Sequence, residues 1–277
     1  MALNPQLTAP TLFQVALPDN FLVSYRFYKP ILTSLMGSTR PMDNVKIGMD
    51  EPQEDEYAVY RLTTRSPLER LIFPEKSGYF LKKAPFLPHG ESLQEWEDSL
   101  KHFYRKLYFL TGNQIVSKNP FNSLRIPLLA KLFPDARFIH IVRHPYAVVP
   151  STQHLWKVVQ KQNILNRNDY SPDLEEISEF LLHMMSTIKH EFTRLPGDRC
   201  TEIRYEDLLL DPVANLKKLY KELDMPFTDD FGKLLNQYTQ SLSGYTKNVY
   251  SLSGEEKKMI AGIMRKQMDL FDYFENH

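Results

Sequence analysis

The sequence has little cysteine, few glycines and no long apolar run, and each shortage excludes a class of protein. Its only cysteine, Cys200, excludes a disulfide framework and any zinc or iron–sulfur site built from several cysteines. No apolar run approaches the roughly 20 residues of a membrane span. The chain has no Asn-x-Ser/Thr acceptor, and residues 1–5 lack the basic and apolar regions of a signal peptide. These absences predict a cytoplasmic protein.

Excess charge of one sign is also lacking. The 277 residues contain 34 Lys and Arg against 34 Asp and Glu, and the pI is about 7.1. A neutral chain has no overall field to attract duplex nucleic acid or an anionic membrane, so a few placed residues must bind any anion. Hydrophobic residues make up 42% of the chain and charged residues 25%, which is ordinary for a folded domain and excludes a disordered chain.

Apolar runs alternate with amphipathic segments along the chain. The runs over residues 114–118, 137–142 and 201–205 predict strands, with helices between and after them. Nearly continuous apolar runs are typical of a parallel sheet that is covered on both faces. No repeat or linker interrupts the pattern. We therefore predict one α/β domain over residues 1–277, with a mostly parallel central sheet flanked by helices.

Several predicted helices carry start signals. We expect capping boxes at Ser92 and Ser253, and we expect Ser123 to cap the helix that follows it. The acidic residues 50–56 precede an apolar-periodic segment, which indicates a helix N-terminus because negative charge is favoured there. Pro150 falls inside a predicted helix, where it removes a backbone hydrogen bond and favours a kink.

Polar side chains stand where the predicted strands end. Lys118 ends the first strand, Arg143 follows the second, and Tyr205 ends the third. Ligands of open α/β sheets bind at the carboxyl ends of strands, and helix N-termini attract anions. Arg143 is therefore a candidate phosphate ligand, with Ser151 about two helical turns further on as a second donor. A lone arginine at a strand end more often pairs with a surface carboxylate, so this assignment depends on the neighbouring motifs.

Together these motifs resemble the sulfotransferase superfamily, which transfers a sulfuryl group from 3′-phosphoadenosine 5′-phosphosulfate (PAPS). The Arg-x7-Ser spacing of Arg143 and Ser151 matches that family's 3′-phosphate motif, and residues 204–208 match its Y-E-D-L element. Residues 118–121 (K-N-P-F) are close to the K-D-P-F of tyrosylprotein sulfotransferases. The similarity to the bacterial-type branch of the family rests on residues 9–14, 40–45 and 50–56. The resemblance covers essentially the whole chain and implies a P-loop-like fold of three layers.

The resemblance implies a role for each matching residue. Arg143 and Ser151 would hold the 3′-phosphate of PAPS, Tyr205 would lie against the adenine, and Lys247 would approach the 3′-phosphate from a basic C-terminal loop. Lys118 would stabilise the charge that develops on the bridging oxygen as the nucleotide leaves. Sulfuryl transfer is close to phosphoryl transfer, in which the protein mainly positions both partners and neutralises charge. No metal is implied, and the partner would be a small-molecule, lipid or sugar hydroxyl.

The general base is less sharply defined by the sequence. Where many cytosolic sulfotransferases have a histidine, this chain has Pro120. Glu54 is our candidate base, because packed carboxylates raise one another's pKa toward useful values. A solvated acidic helix cap is an equal alternative for this cluster. His140 and His144 are further candidates, although a histidine within a strand is more often a core residue.

Glycine is scarce where the family needs it. The family's 5′-phosphosulfate loop, of the form P-R-S-G-T-T, would precede residues 4–6, but the first of the ten glycines is Gly37. The expectation is a sulfotransferase domain that is N-terminally incomplete, without its first strand and phosphosulfate loop. The alternative is a non-catalytic remnant that binds adenosine 3′,5′-bisphosphate or serves as an interaction protein. A P-loop kinase is disfavoured because no Gly-x4-Gly-Lys-Ser/Thr motif occurs.

Overall fold

The structure, a computed structural model, describes residues 1–37, 39, 47–73, 88–163, 165, 171–242 and 250–273. The chain divides into two compact units, each assembled from separate stretches of sequence. The first unit comprises Met1–Pro74, Pro85–Asn122 and Val158–Asn168, and the second comprises Glu75–Ala84, Ser123–Lys157 and Asp169–His277. The assignment of residues 1–277 to one domain stays a prediction.

The first unit is built from helices around a short parallel strand pair. Its elements are β1 (Leu7–Thr8), α1 (Leu12–Ala16), α2 (Phe21–Leu35), α3 (Glu56–Thr63), α4 (Glu69–Ile72), α5 (Glu91–Thr111) and β2 (Gln114–Ile115). The strands β1 and β2 run parallel, with Leu7 opposite Gln114. The core of this unit includes Phe13, Phe103 and Leu107, which are fully buried.

Helix α5 has one buried side, but it does not begin where its start signal predicts. Trp96, Leu100, Phe103 and Leu107 are buried along one side of the helix. The capping box at Ser92 is wrong, because the helix begins at Glu91 after Gly90 and the Ser92 side chain bonds back to the backbone of the preceding loop. Gly90 has φ 55°, a conformation that glycine adopts without strain, and this turn sets the helix start.

The second unit pairs two strands and packs helices around them. Its elements follow a 3₁₀ turn at Pro120–Leu124, and they are α6 (Ile126–Leu132), β3 (Phe138–Val142), α7 (Pro145–Asn163, which runs on into the first unit), α8 (Leu174–Phe192), β4 (Cys200–Arg204), α9 (Tyr205–Leu210), α10 (Pro212–Glu222), α11 (Asp229–Ser241) and α12 (Gly254–Leu270). Strands β3 and β4 are parallel, in register from Phe138 opposite Cys200 to Val142 opposite Arg204. The core joins Val142 to buried residues of α7, α8 and α12. The mixed α/β class with parallel strand pairing is therefore confirmed.

Some predicted boundaries in the second unit are wrong and others hold. Ser123 lies in the 3₁₀ turn and does not cap α6, because Pro127 is accommodated only in the first turn of a helix. Tyr205 is the first residue of α9 instead of the last residue of a strand. Pro150 lies inside α7, which continues over 19 residues. The capping box at Ser253 is confirmed.

Strand β3 is less buried than its apolar run predicts. Ile141 is 53% exposed. Among the residues that the structure covers, β3 pairs only with β4, so part of its surface stays uncovered. In the same ranges, none of the helices combines the length and the apolar character needed to cross a bilayer.

Candidate active site

The predicted catalytic lysine and carboxylate meet in the first unit. Residues 117–119 follow β2 and lie against residues 54–56, which lead into α3. The ammonium of Lys118 forms an ion pair with the Glu54 carboxylate. The Lys118 side chain is 76% exposed and the Glu54 side chain 21% exposed. The pair is therefore open to a ligand. The fold brings these two residues into contact although they are 64 positions apart in the sequence.

Asp55 anchors the backbone on both sides of Lys118. Its carboxylate is buried and accepts hydrogen bonds from Ser117 Oγ (2.6 Å), from Asn119 Nδ2 (2.9 Å) and from the Tyr104 hydroxyl of α5. Burial raises the pKa of Asp55, and the three hydrogen bonds work against that rise. A buried carboxylate occupied by three donors cannot reach an incoming hydroxyl. Asp55 is therefore a positioning residue for Lys118.

Glu56 completes this support. It is the first residue of α3 and is fully buried. Its carboxylate accepts a hydrogen bond from Ser66 Oγ and another from Asn119 Nδ2 (2.8 Å), so the Asn119 amide bridges two acids. The interpretation of the acidic cluster as a solvated helix cap is wrong for Asp55 and Glu56. Sequence reasoning missed Asn119, although its place in the K-N-P-F segment was a usable signal.

In the second unit, the register of the parallel strands brings Arg143 beside Tyr205. Val142 pairs with Arg204, and Arg143 and Tyr205 directly follow the two strands. The Arg143 guanidinium carbon lies 4.7 Å from the centroid of the Tyr205 ring. That distance is within the range of a cation–π contact. A guanidinium that stacks through its face keeps its N–H edge available for a phosphate.

A second contact network ties the same strand ends together. The Glu206 carboxylate accepts hydrogen bonds from the His144 backbone N–H (3.1 Å) and from the Tyr273 hydroxyl (2.9 Å). Burial works to raise the pKa of Glu206, but these hydrogen bonds, a further one from its own backbone N–H and the charge of Arg204 together outweigh it, and the pKa lies below its ordinary value. The Arg204 guanidinium lies 4.9 Å from the Tyr273 ring centroid. Sequence reasoning missed Glu206 and Tyr273, and only Glu206 carried a signal, since it directly follows a strand end.

The remaining predicted site residues occupy separate positions. Ser151 lies half-buried on α7. His140 Nδ1 is 2.8 Å from the carboxylate of Glu202, its register partner on β4, which fits a paired histidine within the sheet. His144 stacks on the rings of Tyr146 and Tyr273, with centroids 4.8 and 4.7 Å away. Lys247 lies outside the described residues. In the described ranges, no group of three or more His, Cys, Asp or Glu side chains could hold a metal ion.

Solved structures define the class of fold first. The chain superposes on the crystal structure of sulfotransferase STF9 from Mycobacterium avium with a TM-score of 0.65 and 17% identity, covering 98% of this chain and 71% of that one. It superposes on sulfotransferase STF1 from Mycobacterium tuberculosis with a TM-score of 0.60 and 14% identity, covering 94% of this chain and 71% of that one. The fold is the P-loop-like α/β fold of these enzymes.

Sequence comparison then gives the family. The model of the Sulfotransferase family matches residues 37–229, so the chain belongs to that family of transferases. It is 28% identical over 276 residues to the omega-hydroxy-beta-dihydromenaquinone-9 sulfotransferase Stf3 of Mycobacterium tuberculosis, covering 99% of this chain and 70% of the relative. It is 29% identical over 120 residues to protein-tyrosine sulfotransferase 1 of Danio rerio, covering 43% of this chain and 31% of the relative. The family resemblance of the sequence motifs is confirmed.

Proposed function

We propose that this sulfotransferase takes its sulfuryl group from PAPS and transfers it to a hydroxyl acceptor. The observation that carries the proposal is the exposed contact between Lys118 and Glu54. These are a cation and a carboxylate of the kinds that the reaction needs at the leaving oxygen and at the attacking hydroxyl. Membership of the family supports the reaction class.

The donor nucleotide is assigned to the strand ends of the second unit. Arg143 binds the 3′-phosphate through its N–H donors, Ser151 adds a neutral donor, and Tyr205 lies against the adenine ring. Lys247 adds a positive charge near the 3′-phosphate. The contact of Arg143 with the Tyr205 ring supports this assignment, because it holds the guanidinium near the strand ends before any ligand arrives. Fixing a binding group in advance reduces the entropy that binding costs.

In the transfer step, the acceptor oxygen attacks the sulfur of PAPS and the bond between the sulfur and the bridging oxygen breaks. The electron pair of that bond moves to the bridging oxygen, where the Lys118 ammonium stabilises the new charge. The Glu54 carboxylate takes the proton of the acceptor hydroxyl. The two side chains neutralise each other in the ligand-free protein, so donor binding must draw Lys118 toward the phosphosulfate and release Glu54 as a base. Most of the rate gain then comes from alignment and charge neutralisation.

The acceptor is proposed to be a hydroxyl on a small molecule, a lipid or a sugar. The names of the relatives refer to a hydroxylated dihydromenaquinone, a protein tyrosine and a carbohydrate. Each of these carries a hydroxyl group. The match to the menaquinone enzyme extends over 99% of this chain and the other two over less than half, which favours a lipid-borne hydroxyl.

Calorimetry with adenosine 3′,5′-bisphosphate tests the donor assignment. Arg143→Ala removes a charge-assisted hydrogen bond worth about 1.5–3 kcal/mol, so we expect the Kd to rise about tenfold or more. Arg137→Ala is a matched control, because Arg137 lies before the opposite end of β3 and its guanidinium donates to the Asp224 carbonyl. An unchanged Kd for Arg143→Ala, or an equal loss for Arg137→Ala, contradicts the assignment.

A further inference from the structure

Helix α2 exposes a stripe of large apolar side chains. Val23, Phe27 and Leu35 are 76%, 74% and 78% exposed, and Ile31 between them is 54% exposed. Their spacing of four residues places them along one side of the helix. A contiguous apolar surface of this kind on a folded protein marks an interaction site.

The other side of α2 is already occupied by the protein core. Phe21 and Ser24 are buried, and Leu32 packs against the core of the first unit. The Tyr25 ring meets the Phe13 ring edge-on, with centroids 5.1 Å apart. The helix is therefore fixed to the protein by one face. Its apolar stripe is left exposed beside this packed face.

The stripe runs the length of α2, which is about 22 Å for 15 residues. Phe21, where α2 begins, packs against α5: the Lys106 ammonium lies 5.4 Å and the Phe103 ring centroid 5.9 Å from the centroid of the Phe21 ring.

The charges of α2 select the kind of partner. Its 15 residues include no Asp or Glu, and of its two basic residues Lys29 forms an ion pair with Asp50, which lies outside the helix. Arg26 is exposed, and Tyr25 and Tyr28 beside it are 40% and 49% exposed. Basic side chains attract anionic lipid, and tyrosines are enriched at the level of lipid headgroups.

We propose that α2 docks on the surface of a bilayer that contains anionic lipid. The apolar stripe enters the boundary between headgroups and acyl chains, and Arg26 contacts lipid phosphates. The helix lies on the membrane and does not cross it, since 15 residues fall short of the roughly 20 that a span needs. The balanced charge of the whole chain does not oppose this docking, because the attraction is local.

Co-sedimentation of the full chain with vesicles tests the docking. We expect stronger binding to phosphatidylcholine–phosphatidylglycerol vesicles than to pure phosphatidylcholine vesicles. The double variant Phe27→Ser, Leu35→Ser should lose about tenfold or more in partitioning to both, because two large apolar groups leave the interface. Arg26→Gln should lose about fivefold on the anionic vesicles and nothing on the neutral ones. Leu210→Ser, at an 84% exposed leucine of the second unit, is the matched control and should bind like the wild type.

Three results would overturn the docking. The first is that the wild type does not sediment with vesicles, and the second is that the double variant sediments with them as strongly as the wild type. The third result is a dimer of the wild type in analytical ultracentrifugation that the double variant does not form. The substituted side chains are exposed, so thermal unfolding and the Kd for adenosine 3′,5′-bisphosphate should stay unchanged. These two controls separate the docking from the donor assignment. If the donor assignment to Arg143 is wrong, vesicle binding is still expected. If the docking of α2 is wrong, nucleotide binding is still expected.

Discussion

Replacing Asp55 tests whether a buried carboxylate holds Lys118, the proposed catalytic lysine, in position. The Asp55 oxygens accept hydrogen bonds from Ser117 Oγ at 2.6 Å, from Asn119 Nδ2 at 2.9 Å and from the Tyr104 hydroxyl. Ser117 and Asn119 flank Lys118 in the sequence. The variant Asp55→Ala therefore releases the chain on both sides of Lys118, and it also leaves three half-buried donors without this acceptor.

The size of the effect follows from these contacts. A hydrogen bond to a charged group contributes about 1.5–3 kcal/mol. Three such bonds to one carboxylate are not additive, and removing the carboxylate also removes the cost of burying its charge. We therefore expect Asp55→Ala to lower the free energy of unfolding by about 2–4 kcal/mol, because it leaves several neutral donors without an acceptor in a partly buried site. In a protein of this size the Tm should fall by about 10 °C.

The variant Asp55→Asn is the matched control. Its amide oxygen can accept from Asn119, and its amide nitrogen can donate to the hydroxyls of Tyr104 and Ser117, which then act as acceptors. The amide therefore keeps the contacts while it removes the buried charge. We expect Asp55→Asn to be much less destabilised than Asp55→Ala and to preserve the position of Lys118.

The dependence on pH has a definite sign. Burial raises the pKa of Asp55 in the folded protein above its ordinary value of 3.8. Such a group stabilises the fold fully below its unfolded pKa, and this stabilisation is lost as pH rises through the folded pKa. Relative to Asp55→Asn, the wild type should therefore lose stability as pH rises from about 4. Urea unfolding followed by circular dichroism across this range measures it. The reasoning would be refuted if Asp55→Ala lowered the free energy of unfolding by less than about 1 kcal/mol, or if Asp55→Ala and Asp55→Asn lowered it equally.

Three further predictions concern the reaction itself. In steady-state turnover of PAPS, Lys118→Ala should lower kcat by about 10² or more and change KM little, because the lysine is proposed to stabilise charge that develops only in the transition state. A rise in KM as large as the fall in kcat would contradict this role. Glu54→Gln should lower kcat and flatten the acid limb of the pH–rate profile, since the amide cannot accept a proton; a near-normal kcat would point to Glu51 or His144 as the base. Ser151→Ala should raise the Kd for adenosine 3′,5′-bisphosphate only a few-fold in calorimetry, because a neutral hydrogen bond contributes about 0.5–1.5 kcal/mol.

The parts of the fold that were predictable have local signals. The capping box at Ser253 and the apolar run of β3 each depend on a few neighbouring residues, and both are confirmed. The start signals at Ser92 and Ser123 are equally local, but neither residue caps its helix, because a neighbouring residue sets the helix start instead. Gly90, through its positive φ, sets the start of α5. Pro127 fits only in the first turn of a helix, so α6 begins next to it, at Ile126.

The site shows the same division. The contact between Arg143 and Tyr205 could be anticipated, because both follow strands and a parallel register brings such positions side by side. The burial of Asp55 could not, since it depends on the packing of α3 against α5 and on partners 49 and 62 residues away. The exposed stripe of α2 was equally hidden, because an apolar period in a sequence predicts a face that packs but does not say against what.

Packing also separates carboxylates that the sequence treats as equivalent. Glu56, Val59 and Thr63 recur at the spacing of one helical face, and all three are buried on the inner side of α3. Asp55 is drawn in with them by its three donors. Glu54 precedes the helix and is free of this constraint, so its carboxylate alone of the three consecutive acids meets Lys118 at the surface. The choice of Glu54 as the base therefore rests on where α3 begins, and no property of the acidic cluster as a whole would distinguish it.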